Sequence, residues 1–168
     1  MNVMQPVFVV DGMLGSLARK LRMFGFDTLY YNDAEDQRLI EVGLKEGRIL
    51  LTGDRTLFQR AMKMGLHSIL LTGANDVDDL VHVCKSFDIG KIEFVSERSR
   101  CSMCNDPLEI RDKNSIKGYV PAGVLDRHAK FYFCKRCSKA YWEGSHFRKL
   151  EEFAQSVNRG LSKVESKR

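Results

Sequence analysis

Four cysteines with metal-ligand spacing are the first residues in this 168-residue chain whose types suggest chemistry. They form two Cys-x-x-Cys pairs, Cys101 with Cys104 and Cys134 with Cys137, and 29 residues separate the pairs. Each pair lets two thiolates from one tight turn reach a single ion, and two such turns complete the tetrahedral shell of structural Zn²⁺. Because four thiolates leave no open coordination position, the spacing predicts a closed, structural zinc ribbon. The fifth cysteine, Cys84, lies in an apolar helical pattern and is expected to be a small buried hydrophobe.

Three aspartates could form a second site, made of oxygen ligands. Asp11 directly follows the apolar run at residues 7–10, Asp54 follows the run at 48–52 after one glycine, and Asp36 opens a helical pattern. Converging carboxylates repel each other unless a hard cation lies between them, and Mg²⁺ or Mn²⁺ suits such a site. A cation held there could orient a water and neutralise charge on a phosphodiester. The sequence therefore predicts a catalytic Mg²⁺ or Mn²⁺ site at these aspartates.

Each acidic residue also has a structural interpretation. Asp36 could simply favour the helix dipole, Asp54 could cap a helix while still binding metal, and Asp33 is the expected N-cap of the second helix. A fourth carboxylate could come from the acids that open a later helix, although first-turn helix acids are the favoured interpretation: Asp76, Asp78 and Asp79.

Basic and aromatic side chains in two regions could hold a nucleic acid, since cations bind phosphates and aromatic rings stack on bases. The candidates are Arg19, Lys20, Arg22, Lys135, Arg136, Lys139, Tyr141, Trp142, His146 and Arg148. Two alternatives stay open. The cations of the first helix could be a plain solvated face, and Trp142 could pack the ribbon against the preceding domain.

Alternating strand and helix patterns must position these residues. Strands are predicted at 7–10, 28–31, 48–52 and 68–71, with 92–95 as a fifth strand or the exit from the domain. Short connections between such units imply a parallel sheet with helices on both faces. We therefore predict an α/β domain at residues 1–97, a zinc ribbon with a C-terminal helix at 98–157, and a disordered basic tail at 158–168.

Charge divides the chain at the same boundary. Residues 1–97 carry 11 Lys and Arg against 14 Asp and Glu, whereas residues 98–168 carry 16 against 8. This asymmetry suggests a polyanionic partner held mainly by the second part. The chain has no transmembrane run and no signal peptide, so we expect a cytoplasmic protein without membrane contact. The sequence does not predict an oligomeric state.

Three landmarks resemble a known family. They are VVDGMLGSLARKLRMFG at residues 9–25, RILLTGDR at 48–55, and the two cysteine pairs with KAYWEGSH at 139–146. Together they resemble the PIN-like RNase domain family with a C-terminal zinc ribbon, the Mut-seven C-terminal family, over nearly the whole chain. The resemblance implies a PIN-like α/β fold and ribonuclease activity, and it places Asp11, Asp36 and Asp54 at the family's acidic positions.

The chain departs from the family pattern shortly after the third strand. Many PIN-type relatives have a further acidic residue there, where this chain has Arg55, Thr56 and Leu57. We also expect the domain to stand alone here, without the exonuclease domain that precedes it in the animal protein.

Two hypotheses about function follow. The first is a metal-dependent endoribonuclease whose ribbon helps to bind RNA. The second is a non-catalytic RNA-binding module of PIN-like fold. A phospho-acceptor receiver domain is disfavoured, because the first strand is followed by one aspartate rather than paired acids and no suitable lysine follows a fifth strand.

Overall fold

A four-stranded parallel sheet forms the first part of the molecule. The computed structural model describes residues 5–71, 73 and 75–165. The strands lie in the order β2-β1-β3-β4, and their bounds are β1 Phe8–Val10, β2 Thr28–Tyr30, β3 Ile49–Thr52 and β4 Ser68–Leu70. Val9 lies opposite both Leu29 and Leu50, so the central strand is paired on both sides. The predicted α/β class is confirmed.

Helices cover both faces of the sheet, because each pair of successive parallel strands is joined by a crossover that carries a helix. They are α1 Gly15–Met23, α2 Asp36–Glu46, α3 Arg55–Lys63 and α4 Asp76–Ser86, with a 3₁₀ turn at Gly12–Leu14 before α1. Asn75 caps α4 by accepting from two backbone amides of its first turn. The N-cap position of α2 is occupied by Glu35 rather than Asp33, so that expectation is wrong. Asp33 instead lies in the exposed turn two residues earlier.

Successive strand residues point to opposite faces and so supply two separate cores. Val9 and Leu50 pack with α2 and α3, whereas Phe8, Val10 and Leu51 pack with α1 and α4. Cys84 belongs to the second of these cores, is fully buried as expected, and has its thiol pKa raised to about 11 by that burial. The apolar run at residues 7–10 is therefore explained by a central strand covered on both sides.

The second part is a small antiparallel sheet. It comprises β5 Glu109–Arg111, β6 Phe131–Cys134 and β7 Lys139–Trp142 in the order β5-β6-β7, with short helices α5 Lys113–Ile116 and α6 Ala122–Arg127 between β5 and β6. The segment at 92–95 forms no strand and leads out of the first domain, which is one of the two alternatives predicted. The domain boundary itself remains a prediction.

The C-terminal helix α7, Ser145–Glu165, corrects the expectation of a disordered tail from residue 158. Val157 and Leu161 continue its apolar stripe and are buried in the core shared with α1 and α4. Gly160 allows a close approach to α4, because a Cβ there would meet Val81 Cγ2 at 2.7 Å. Burial of this stripe outweighs the polar composition of the segment. Residues 166–168 of the predicted tail lie outside the described residues.

Within the described part of the chain, none of the helices combines the length and apolar character needed to cross a membrane.

Candidate active site and metal centre

The four ribbon cysteines lie together in a compact cluster. Their sulfur atoms are all within 4.8 Å of one another, and Cys104 Sγ lies 3.4 Å from Cys134 Sγ. All four are free thiols rather than disulfides. A zinc ion bound at about 2.3 Å by four sulfurs implies sulfur separations of about 3.8 Å. The cluster could therefore hold a tetrahedral metal ion such as zinc, and four thiolates would leave that ion no open coordination position.

Tyr141, on β7, contacts this cluster. Its hydroxyl lies 3.2 Å from Cys101 Sγ and accepts from the Ser102 backbone N–H at 3.2 Å. Burial raises the pKa of Cys101, but hydrogen bonds to Tyr141 and to the Cys104 backbone outweigh it and lower that pKa to about 7. The pKa of Cys134 is raised to about 12, mainly by burial, and that of Cys137 to about 11, mainly by its hydrogen bond with Cys104, so without a cation the cluster favours a single thiolate. Tyr141 is only 9% exposed, so the structure gives it a structural contact in place of the predicted stacking role.

Arg22 connects the cluster to the α/β domain and is not a phosphate contact. Its guanidinium donates to Thr28 O in β2 and to Ser102 O and Met103 O in the first cysteine turn, at 2.8, 2.9 and 3.1 Å. The side chain is buried, and this desolvation lowers its pKa. The prediction of Arg22 as an RNA-binding residue is therefore corrected. Helical spacing alone placed it on the solvated side of α1, but the ribbon covers that side.

Asn105 makes a second connection between the two parts. Its side-chain oxygen accepts from Thr28 N–H at 2.9 Å, and its amide donates to Asp27 Oδ1 at 2.8 Å. Burial alone would raise the pKa of Asp27, but hydrogen bonds from Arg48 and Asn105 outweigh it and lower the pKa. The start of β2 is thus held by the residue that directly follows the first cysteine pair.

The carboxyl edge of the parallel sheet carries the predicted acidic residues. β1 and β3 are adjacent, and the chain leaves them toward opposite sides of the sheet, so a topological switch point lies between them. Open parallel sheets bind ligands outside the carboxyl ends of their strands at such a point. Asp11 follows β1 and Asp54 follows β3. We call this part of the sheet, flanked by Asp11 and Asp54, the acidic edge.

A buried threonine links these two aspartates. Thr52 Oγ1 donates to Asp11 Oδ2 at 2.6 Å and accepts from the Asp54 backbone N–H at 3.0 Å. Asp11 Oδ1 accepts from Met13 N–H at 2.9 Å, so Asp11 also caps the 3₁₀ turn and is only 8% exposed. Asp54 Oδ1 accepts from two amides in the first turn of α3, as the capping interpretation predicts. The sequence offered the Thr-Gly-Asp order as a signal, but not the contact of Thr52 with Asp11.

Asp36 lies at the same end of the sheet, on the first turn of α2 after β2. Across residues 5–71, 73 and 75–165, the four cysteines alone form a group of three or more potential metal ligands within 4.8 Å. The structure therefore links Asp11 with Asp54 and does not gather all three predicted carboxylates into one cluster. The three-aspartate site remains a prediction.

The acids at the start of α4 make internal contacts. Asp76 pairs with Lys20 Nζ at 2.5 Å and accepts from Ser16 Oγ at 2.6 Å, which joins α4 to α1. Asp79 is buried, accepts from Gly73 N–H at 3.0 Å, and has its pKa raised mainly by burial. Their favoured interpretation as helix-start acids therefore fits these contacts.

Gly12 is required by the close approach of two loops at the acidic edge. A Cβ at this position would meet the backbone oxygen of Asn32 at 2.6 Å. The loop after β2 is held there, since Tyr30 Oη donates to Gly12 O at 3.1 Å. The Asp-Gly order in the sequence is thus explained by contact between neighbouring loops.

Gly12→Ala should destabilise the fold by about 1–3 kcal/mol, because a backbone atom cannot move aside as a side chain does. The measurement is the free energy of unfolding in urea. Gly90→Ala is the matched control, since no heavy atom lies within 4 Å of a Cβ at Gly90. Equal stability of the two variants would show that the loops separate at little cost.

The predicted nucleic-acid contacts other than Arg22 fall into three sets. Six line one cavity of about 560 Å³ between α1, β7 and the start of α7: Arg19, Lys20, Lys139, Tyr141, Trp142 and His146. Lys135 and Arg136 instead lie in the second cysteine turn, between Cys134 and Cys137. They pair with Glu109 and Asp106 at 2.5 and 3.5 Å, respectively. Arg148 is exposed on α7 outside the cavity lining. The structure therefore brings most of the two predicted groups together, which the sequence could not show.

An α/β sheet with carboxylates at its switch point, joined to a four-cysteine ribbon, defines the class of this protein. The chain belongs to the Mut7-C RNAse domain family, whose model matches residues 6–154. This membership confirms the resemblance of the sequence landmarks and supports a nuclease-type function.

One curated relative gives a distant match. The chain is 32% identical over 100 residues to the human protein described as "Exonuclease mut-7 homolog". The match covers 58% of this chain and 11% of the human protein, so the chain spans only a small share of that relative's length. No solved structure matches the chain.

Proposed function

We propose that this protein is a metal-dependent endoribonuclease whose zinc ribbon helps to bind RNA. The observation that carries this proposal is the pair of aspartates at the sheet switch point, joined through Thr52. Membership of an RNase domain family supports RNA as the substrate. The cytoplasmic location expected from the sequence stays part of this proposal.

The chemistry of the acidic edge suits a hard cation. Asp11 and Asp54 offer carboxylate oxygens, the ligands that Mg²⁺ and Mn²⁺ prefer, and Asp54 Oδ2 has no hydrogen-bond partner among the described residues. Asp11, Asp54 and, as predicted, Asp36 would hold the ion. Such an ion supplies Lewis-acid stabilisation of a phosphodiester and lowers the pKa of a bound water. Thr52 would hold Asp11 in a fixed orientation through its hydrogen bond.

A comparison of circular and linear RNA tests this proposal. The full chain is incubated with closed circular single-stranded RNA and with a linear RNA of the same sequence, in Mn²⁺, in Mg²⁺ and with no added divalent cation. We expect both RNAs to be cut only when Mn²⁺ or Mg²⁺ is added, because an endonuclease needs no free end. Omission of the cation is preferred to a chelator, which would also remove zinc. Digestion of the linear RNA alone would contradict the endonuclease assignment.

Two observations favour the second candidate, a non-catalytic RNA-binding module. Both carboxylate oxygens of Asp11 are already hydrogen bonded within the protein, and the three predicted carboxylates do not form a compact cluster. For this candidate, RNA binding should fall steeply with salt and survive Asp11→Asn. Intact circular and linear RNA under all three conditions, together with measurable binding, would favour it over the nuclease.

A further inference from the structure

A cleft of defined composition lies between the two parts of the molecule. Its walls are α1, the edge strand β7 and the first turns of α7, and its volume of about 560 Å³ falls within the ~300–1,000 Å³ typical of small-ligand sites. Met23 and Leu150 contribute apolar lining, and Trp142 and Tyr141 contribute aromatic lining. We call it the ribbon cleft. An apolar and aromatic lining combined with nearby cations suits a ligand that has both a ring and negative charge.

Three cations around the ribbon cleft lack an acidic partner. Arg19 on α1, Lys139 on β7 and Lys149 on α7 are exposed, and none forms an ion pair within the described part of the chain. Lys139 Nζ lies 5.3 Å from the centre of the Tyr141 ring, which keeps it beside the cleft. Lys20, by contrast, is paired with Asp76. The unpaired cations come from three different elements and face one cavity, so they favour a polyanionic ligand.

Trp142 is the aromatic side chain best placed to contact such a ligand. It is half-buried, packs beside Phe131 and Phe133 on the face of the ribbon sheet opposite Tyr141, and lines the ribbon cleft beside Gly144, where a Cβ would lie 3.2 Å from Trp142 Nε1. Tyr141 is more deeply buried, and its hydroxyl accepts a hydrogen bond from Ser102 N–H in the first cysteine turn. An aromatic ring that is fixed by packing and still accessible can stack on a nucleobase.

The ribbon cleft leads toward the acidic edge along α1. Ser16, on the first turn of α1, lines the cleft, and Asp11 caps the 3₁₀ turn that directly precedes this helix. At 1.5 Å of rise per residue, Ser16 and Met23 are about 10 Å apart along the helix. An RNA strand that leaves the cleft at Ser16 therefore needs to pass only the 3₁₀ turn to reach Asp11.

We propose that the ribbon cleft binds single-stranded RNA, with one unpaired base on Trp142 and flanking phosphates on Arg19, Lys139 and Lys149. The bound strand then passes over the start of α1 to the acidic edge. Duplex RNA is excluded, because its bases are already stacked and paired and cannot enter a one-base cavity. This inference rests on the proposed function in taking RNA as the ligand, but it requires no cleavage.

The fluorescence of Trp142 tests the inference directly, since it is the only tryptophan in the chain. Wild-type protein is titrated with an eight-nucleotide single-stranded RNA, with the same sequence as a duplex, and with polyglutamate, without added divalent cation. We expect quenching by the single strand alone. Quenching by the duplex to the same extent, or binding of polyglutamate with equal affinity, would overturn the inference.

Charge variants locate the bound strand. Arg19→Gln combined with Lys149→Gln should lower the slope of log affinity against log salt by about 1.4, at about 0.7 for each lost phosphate contact. Lys45→Gln combined with Lys63→Gln is the matched control, since both lysines are exposed on α2 and α3, on the opposite face of the sheet. A slope equal to that of this control variant would overturn the placement of the strand.

Substitutions of Trp142 are followed by anisotropy of labelled RNA. Trp142→Ala should weaken binding by about 5- to 150-fold, the range expected for loss of one stacked base, whereas Trp142→Phe should recover most of it. Because Trp142→Ala also removes packing in the ribbon, recovery in the Phe variant is the decisive measurement. RNA cleavage by a protein whose cleft variants bind normally would refute this inference and leave the proposed function intact. Cleft-dependent binding without any cleavage would support this inference and contradict the proposed nuclease function.

Discussion

Cys134→Ser combined with Cys137→Ser should reduce bound zinc from about one ion per chain to none. The four sulfurs form one shared shell, and two thiolates alone leave it half complete. Structural zinc contributes on the order of 10–16 kcal/mol in small zinc domains, so the ribbon should unfold without it. Elemental analysis of the purified protein measures the zinc, and near-ultraviolet circular dichroism follows the ribbon aromatic residues.

The loss of zinc should also destabilise the α/β domain. Arg22 donates to two carbonyls of the first cysteine turn, and Asn105 holds the start of β2. If the turn unfolds, the guanidinium keeps its bond to Thr28 O but loses its other two acceptors, which is unfavourable for a buried charged group. Cys84→Ala is the control, because Cys84 is buried outside the cluster. Zinc retained in the double serine variant would contradict the four-sulfur site.

Asp11→Asn should reduce RNA cleavage by about 10²-fold or more, with RNA affinity changed little. An asparagine keeps the size of the side chain, and its oxygen can still accept from Met13 N–H or Thr52 Oγ1, so the fold should persist. What is lost is the negative charge available to a cation. Initial rates on circular RNA in Mn²⁺ provide the measurement, with circular dichroism to show that the variant is folded.

Two further variants are needed to interpret the result for Asp11→Asn. Thr52→Val removes the hydrogen bond that orients Asp11, and a loss of about 10- to 100-fold is expected, as for other residues that orient metal ligands. Asp33→Asn is the charge-matched control, since Asp33 is exposed at the same end of the sheet without contacting Asp11. Equal rates for wild type and Asp11→Asn would mean that the activity belongs to another site or a contaminating nuclease.

The α/β fold and the metal centre could both be predicted from sequence, for physical reasons that are local. The runs at 7–10 and 49–51 are continuous and apolar because each strand is covered on both faces, and the sequence pattern shows that directly. Asn75 and Asp54 cap helices by contacts within three residues. The cysteine pairs were equally readable, because the ligand geometry of zinc sets the spacing within each turn.

Errors arose where a residue's environment depends on a distant segment. Arg22 has the helical position of a solvated cation, but its partners are carbonyls 80 and 81 residues away. Residues 158–165 have the composition of a tail, but α4 covers their apolar stripe. Asp33 and Glu35 are both acidic residues before α2, and only the path of the loop decides which one occupies the cap.

The sequence by itself thus determined the parallel sheet, the zinc ribbon and the identity of the acidic residues that follow the strands. Tertiary structure alone decided that Thr52 bridges Asp11 and Asp54, that Arg22 is buried, and that cations from α1, β7 and α7 share one cleft. The reason is the range of the interactions. Strand burial, helix caps and cysteine turns depend on neighbouring residues, whereas a cleft lined by α1, β7 and α7 exists only once both parts of the molecule have folded and packed together.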